Sequence, residues 1–439
     1  MPATGPAASH AAADRCPGVL RLAEAADGRL ARIRLPGGLI SAGQIRVLAR
    51  LASELGDGRV ELTSRGNVQL RGLAADAAEP LTDRLTRAGL LPSVSHDRVR
   101  NVLASPLAGL DGGRDLTAIV QTLDAGLCVR PRLAELSGRF LFAVDDGRGD
   151  VADLGADVVA QVEADGAVVN GLAVAQGGMP DDAAVDAVVT MMLACAEAFL
   201  DEAAAQGGTA WRMAELANGA ERVRGAVAAR FGLADASQHP DTSPPPAAAQ
   251  PPVAQQAAAG HGPAGSAARS IGITGSTARP AGIAGSTARP AGIAGPATRP
   301  VGIVGPGGTA AVLLAPLGRL AAAQLAWLAD RVTDRPARIT PWRSVVLPDL
   351  PDAAGVLRDA AGLGFGVDAA SPWRRLTACV GRPGCASALA DVQADAAGFA
   401  ARWPDRIVHV SGCARRCGRP GATEIDVTAT SEGYQVAGI

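Results

Sequence analysis

Two stretches of the chain carry the same order of apolar and polar patterns. In the first, "LARIRLP" (30–36) alternates apolar and polar residues, as a half-buried strand does. "SAGQIRVLARLASELG" (41–56) then places apolar residues three and four apart. That spacing predicts an amphipathic helix with Ser41 as N-cap and Gly56 as C-cap. Strand-like runs at "RVELT" (59–63) and "NVQLRG" (67–72), and a second helix near 77–89, complete a β-α-β-β-α order. The second stretch repeats it: "AAVLLAP" (310–316), a helix over 319–332, strands at "ARIT" (337–340) and "SVVLP" (344–348), and a helix over 352–364. "LTSRGNVQL" (62–70) aligns without gaps to "ITPWRSVVL" (339–347). Two copies of one half-domain predict a pseudo-two-fold pair, because pairing covers sheet edges that each copy alone leaves open.

The rest of the chain divides around these copies. Residues 97–235 read as a mixed α/β segment ending in helices; its apolar run "AVVTMMLACAEAFL" (187–200) is too short to span a bilayer and carries Glu197, so it predicts a buried helix. Residues 236–306 are rich in Pro, Ala, Gly, Ser and Gln and contain a ten-residue repeat with Arg269, Arg279, Arg289 and Arg299 in phase. One or two isoleucines per repeat cannot stack as a solenoid, which predicts a disordered interdomain linker. The expected division is a disordered tail (1–15), a first half-domain (16–96), a central α/β domain (97–235), the linker (236–306), a second half-domain (307–370) and a cysteine-bearing domain (371–439).

Composition adds three points. The 439 residues suffice for about three domains, and a formal net charge of −2 gives no reason to expect a nucleic-acid partner. The chain has no lysine: all 41 basic residues are arginine. The N-terminus lacks the basic start and apolar core of a secretory signal, so a cytoplasmic protein without a membrane partner is expected. In that reducing compartment, grouped cysteines bind metal or do redox chemistry more often than they form disulfides.

Four of the seven cysteines are grouped: Cys379 and Cys385 in "TACVGRPGCASA", Cys413 and Cys417 in "SGCARRCGRP". Four thiolates suit an iron–sulfur cluster. Structural zinc tends to use tighter C-x2–4-C arms on both sides, so the wider first arm favours the cluster, with zinc or four unliganded thiols as alternatives. Gly381, Gly384, Gly412 and Gly418 allow close backbone approach, and Arg382, Arg415, Arg416 and Arg419 offset negative charge. Cys195 is expected in the core; Cys16 and Cys128 lack partners at ligand spacing.

The C-x5-C…C-x3-C pattern beside duplicated half-domains resembles the siroheme nitrite/sulfite reductase superfamily. "LTSRGNVQLRG" looks like that family's arginine-bearing strand, and "VRNVLASPLAG" (99–109) like its Arg-Asn segment. The resemblance implies an α+β fold of two ferredoxin-like half-domains plus two nitrite/sulfite-reductase-type α/β domains. It implies a [4Fe-4S] cluster on the four cysteines. Within the superfamily, "CPGVLRLAEAADGRLARIRLPGG" (16–38) and "RITPWRSVVLPDL" (338–350) are most similar to the precorrin-3B synthase branch. That branch implies a monooxygenase that hydroxylates precorrin-3A with O2 and closes a lactone, with a mononuclear non-heme iron beside the cluster. Sulfite and nitrite reductases carry a lysine pair in a segment that here reads "LSGRFLFAVDDG" (136–147), with Arg139 and Leu141 at the two positions. Arginine is a poor general acid and leucine has no charge, which disfavours the reductase, and with it siroheme.

A polyanionic tetrapyrrole calls for arginine forks. Candidates are Arg65, Arg71, Arg100, Arg139 and Arg343, with Asn67, Gln69 and Asn101 as neutral hydrogen bonders. Residues 65, 67, 69 and 71 are expected on one strand face, and Trp342 either stacks on the ring or packs in the core. His10, His239 and His261 fall in the tail or linker, leaving His96 and His409 as candidates near an iron. No G-x-G-x-x-G follows an expected strand, so an external donor, ferredoxin or an NADH-linked reductase, is expected to supply electrons.

Overall fold

The computed structural model describes residues 14, 16–176, 181–233 and 300–438. The ten-residue repeats, and the histidines at 10, 239 and 261, lie outside the described residues. The first half-domain comprises β1 (Ala23–Ala25), β2 (Gly28–Ile33), β3 (Leu39–Ile40), α1 (Ala42–Leu55), β4 (Arg59–Leu62), β5 (Val68–Leu73) and α2 (Ala78–Arg87). Helix α1 starts where its cap is. The Ser41 hydroxyl accepts from Gln44 N, and the Gln44 side chain accepts from Ser41 N in return.

The central segment holds β6 (Val102–Ala104), α3 (Thr117–Cys128), β7 (Phe142–Asp145), β8 (Val158–Glu163), β9 (Gly166–Val169), β10 (Leu172–Gln176), α4 (Asp181–Ala205) and α5 (Gly219–Phe231). Its sheet runs β10-β9-β8-β7-β6. Helix α4 is the one described helix long and apolar enough to cross a membrane. Here Val188, Met192, Cys195 and Phe199 bury it in this domain's core, with the Phe199 ring 4.8 Å from Phe140.

The second half-domain comprises β11 (Gly302–Val304), β12 (Ala310–Leu314), β13 (Arg319–Ala321), α6 (Ala322–Ala329), β14 (Ala337–Ile339), β15 (Ser344–Leu347) and α7 (Ala353–Gly362). The halves exchange strands. One sheet runs β1-β2-β5-β4-β13, the other β11-β12-β15-β14-β3, so the short strand before each first helix completes the opposite sheet. Arg319 pairs with Glu61, and Ala337 with Ile40. A single core draws on both copies, including Leu48, Leu70, Leu313, Leu325 and Val345. The expected edge coverage is thus present.

Three expectations need correction. Residues 319–321, expected at the start of a helix, form β13, because their backbone groups pair with β4. Strand β11 lies inside the span 236–306 assigned to the linker, so the folded half begins before residue 307. The tail assigned to 1–15 is anchored at Asp14, which is buried and accepts from Gly138 N at 2.6 Å.

The last segment holds β16 (Leu376–Ala378), α8 (Val392–Arg402), β17 (Val408–Ser411), β18 (Ile425–Thr430) and β19 (Gly433–Ala437) in sheet order β16-β17-β18-β19. The first three strands are parallel. Leu376, Ala378, Val408, Val410 and Val427 pack with α8. By strand alternation Thr377, His409, Ser411, Asp426 and Thr428 share the opposite face.

Candidate functional site

The two cysteine pairs leave the carboxyl ends of adjacent parallel strands, β16 and β17, the edge where open α/β sheets bind ligands. Cys379 N donates to Val410 O at 2.9 Å, and Leu389 N to Gly412 O at 2.7 Å, which lace the loops together. Glycine makes that contact feasible. A Cβ on Gly412 would stand 2.7 Å from Ala388 Cβ, and one on Gly381 2.7 Å from Val392 Cγ2. All four cysteines are free thiols, half-buried except for the exposed Cys417. Gly412 N–H donates to Cys379 Sγ at 3.1 Å. Burial pushes the Cys379 thiol up, the N–H groups of Gly412 and Gly381 pull it down, and the nearby Cys417 and Cys385 sulfurs push it up again.

This donor set fits an iron–sulfur group. A cation held among grouped thiols lets them bind it as thiolates. Among the described residues, no three of these sulfurs come within 4.8 Å of one another. A single tetrahedral zinc, with Zn–S near 2.3 Å, would draw thiolates to about 3.8 Å. Four free thiols on two laced loops are the ligand number that an iron–sulfur cluster takes.

Arginines gather at the first half-domain. Arg32 and Arg34 alternate along and just beyond β2, and burial and neighbouring cations hold Arg34 down to about 9. Arg65 is lowered to about 10 by burial and by Arg212. The Arg32 Nε and Arg34 Nη2 atoms are buried with no hydrogen-bond partner among the described residues. The Arg65 guanidinium donates to Gly138 O at 3.3 Å. Crowded, under-bonded guanidinium groups are what a carboxylate-rich ligand would satisfy. Arg32 and Arg34 were not among the sequence candidates. The signal was there, in the two arginines of alternating "ARIR".

The remaining candidates divide. Arg139 is exposed, 4.5 Å over the Trp211 ring. The stem of Arg343 packs over Gly318; burial lowers its guanidinium, and its charge reaches His409. Gln69 accepts from Arg32 at 3.2 Å and donates to Glu61. By contrast Arg71 is buried in a bidentate pair with Asp27 and donates to Gly384 O at 2.8 Å, holding the first cysteine loop to β5. Arg100 is buried in a bidentate pair with Asp124 at 2.6 and 2.7 Å. Asn67 donates to Asn101, whose own amide donates to Gly138 O. The shared face expected for 65, 67, 69 and 71 is not formed. Arg65 and Asn67 sit in the turn before β5, where the Thr63 hydroxyl accepts from both backbone N–H groups.

Trp342 occupies the equivalent turn of the second copy, half-buried. His96 Nδ1 faces the Ser93 and Ser95 hydroxyls and its Nε2 donates to Arg130 O at 3.0 Å, so its imidazole is satisfied internally. His409 is buried in the cysteine domain. Burial raises the Cys16 and Cys128 thiols and pushes Cys195 up to about 12, leaving all three protonated at neutral pH.

Comparison with known proteins agrees with this architecture. Residues 23–88 match the nitrite/sulfite reductase ferredoxin-like half domain. A ferredoxin–nitrite reductase of Synechococcus elongatus is 26% identical over 93% of this chain and 78% of its own length. A precorrin-3B synthase of a Sinorhizobium species is 25% identical over 99% of this chain and 85% of its own. The solved structure of Mycobacterium tuberculosis NirA shares the fold with a TM-score of 0.61 at 20% identity, over 93% of this chain and 73% of that one. Residues 23–88 thus carry a nitrite/sulfite reductase half-domain, and over nearly its whole length the chain is similar to a precorrin-3B synthase as well as to a nitrite reductase.

Proposed function

We propose that the chain is a cytoplasmic tetrapyrrole monooxygenase of the precorrin-3B synthase kind, hydroxylating precorrin-3A with O2 and closing a lactone. The observation that carries this reading is the 136–147 segment. Arg139 lies exposed over Trp211, and Leu141 is buried with Leu103, Ala143 and Val151. Neither position offers a good proton donor, and the chain has no lysine to supply one elsewhere. Such a surface binds carboxylates and does not deliver protons to a bound oxyanion. A [4Fe-4S] group on Cys379, Cys385, Cys413 and Cys417 would pass single electrons from an external donor, ferredoxin or an NADH-linked reductase. The chain's own residues do the holding: Arg32, Arg34, Arg65, Arg139 and Arg343 orient the substrate's carboxylates, and Arg71 ties the first cysteine loop to the half-domain. A mononuclear iron remains part of the reading through the resemblance, with no ligand set assigned.

The competing reading is a siroheme-dependent nitrite or sulfite reductase, favoured by the nitrite reductase relative at nearly equal identity. Anaerobic reconstitution with iron and sulfide, then incubation with precorrin-3A, a reductant and O2, separates the two. A product heavier by one oxygen is expected. Purified protein that carries siroheme and reduces nitrite or sulfite would replace our reading with the second. Cys385→Ser is expected to abolish both the cluster absorption and turnover; turnover without a cluster would remove the proposed electron route.

A further inference from the structure

The face of the cysteine domain turned away from α8 is polar and closed. His409 and Ser411 are fully buried and Asp426 nearly so. Three side-chain atoms there have no hydrogen-bond partner among the described residues: His409 Nε2, Ser411 Oγ and Asp426 Oδ1. Leaving such groups unpaired costs about 1–3 kcal/mol each, so a reason for them is required.

The second cysteine loop lies over this face. Asp426 Oδ2 is ion-paired with Arg416, 2.9 Å from its Nε, and with Arg419, 3.0 Å from its Nε, which clamps the loop on both sides of Cys417. Arg416 itself holds a left-handed backbone, φ 49°. The His409 ring is fixed from the other end, its Nδ1 2.8 Å from the Thr377 hydroxyl across the parallel pair. With Thr377 donating, Nδ1 accepts and Nε2 carries the proton. The Cys417 backbone acts on the ring as an acceptor, yet Nε2 forms no hydrogen bond among the described residues. Of the groups facing the ring, Arg343 and Arg419 are cationic and Asp426 is anionic; burial outweighs them and keeps the imidazole neutral.

We propose that His409 is a positioning residue for the cysteine centre: its Nε2–H bonds the Cys417 carbonyl when the loop closes on its metal group, so that Thr377, His409 and the Asp426 clamp fix the Cys417 thiolate. The inference rests on the cluster reading above. It assigns the buried imidazole a hydrogen-bonding task and no place in the coordination sphere. Partners of this kind behind a ligand typically alter metal affinity 10–100-fold.

The test is retention of the group, read without turnover. Parent, His409→Leu, His409→Gln and Thr377→Val chains are reconstituted anaerobically with iron and sulfide. Their loss of iron to a chelator is then timed, with far-UV dichroism as the check on folding. His409→Leu is expected to release iron about tenfold faster or more. His409→Gln, which keeps a donor near the Nε2 position, should stay close to the parent, and Thr377→Val should fall between. A folded His409→Leu chain that holds iron as long as the parent overturns the proposal. So does a Gln variant as fast as Leu, since packing alone would then account for the effect. If His409→Leu does not fold, parent-like retention by Thr377→Val overturns it. A parent chain that takes up no iron and sulfide removes the cluster reading and this inference together; normal loading with equal release rates removes the inference alone.

Discussion

Arg100 and Arg139 carry the same charge and opposite expectations. Arg100 is buried against Asp124, so Arg100→Ala strands a carboxylate and should cost about 3 kcal/mol, read as a lower melting temperature. Arg139 stacks on Trp211 from the surface, so Arg139→Ala should cost about 1 kcal/mol or less while weakening tetrapyrrole binding in a titration. If the two variants melt alike, the division between structural and ligand-facing arginines drawn above is wrong. A different residue contributes a pH dependence in the central domain. Asp150 is raised to about 6, by burial first, with Ser105 donating to it at 2.6 Å and Asp145 and Asp146 nearby. Its folded pKa lies above the unfolded value, so the native state binds the proton more tightly. Stability therefore falls as pH rises from about 4 to about 6 and is level above that. Asp150→Asn should remove that slope and stabilise at pH 7 by about 1–2 kcal/mol, discounted for partial exposure. Denaturant titrations at pH 4.5 and 7.5 check the sign.

At the scale of elements, the gap-free match of "LTSRGNVQL" to "ITPWRSVVL" proves literal. Leu62 pairs with Val68 as Ile339 pairs with Val345, and Thr340 accepts from the N–H groups of Trp342 and Ser344 as Thr63 does from Arg65 and Asn67. The left-handed position is Gly66 in one copy, φ 65°, and Arg343 in the other, φ 61°. An arginine there costs about 1–2 kcal/mol that glycine would not, and such strain is retained where a side chain has a task. Arg343→Gly should thus change stability by about 1 kcal/mol or less, relief of strain offsetting lost packing, while tetrapyrrole affinity falls. Unchanged affinity would strike Arg343 from the site. The capped helix α1, the three-strand repeat and the cysteine grouping were legible because each rests on local pattern. The two- and three-residue strands β3 and β13 were not, since so few residues carry no period. The roles of Arg71, Asn67 and Asn101 were not, because their partners lie across the fold.

At the scale of the whole molecule, the exchanged strands decide what holds the halves together. β3 reaches β14 so closely that a Cβ on Gly38, φ 70°, would stand 2.0 Å from Ile339 O. Each half supplies a strand that closes the other's sheet, and one core runs through both. Neither half can bury its own edge alone, so the covalent connection between them should be dispensable while the exchange is not. Co-expressed as separate chains broken within 240–295, the N- and C-terminal parts should co-purify at one to one and load iron as the intact chain does. Either part expressed alone should aggregate through its open β4 or β14 edge. Gly38→Ala should separate the co-expressed parts, because the new methyl group collides with the partner strand's carbonyl. Parts that stay apart in solution without that substitution would mean the exchange depends on the tether, and the segment 236–299 would then have a structural duty beyond spacing.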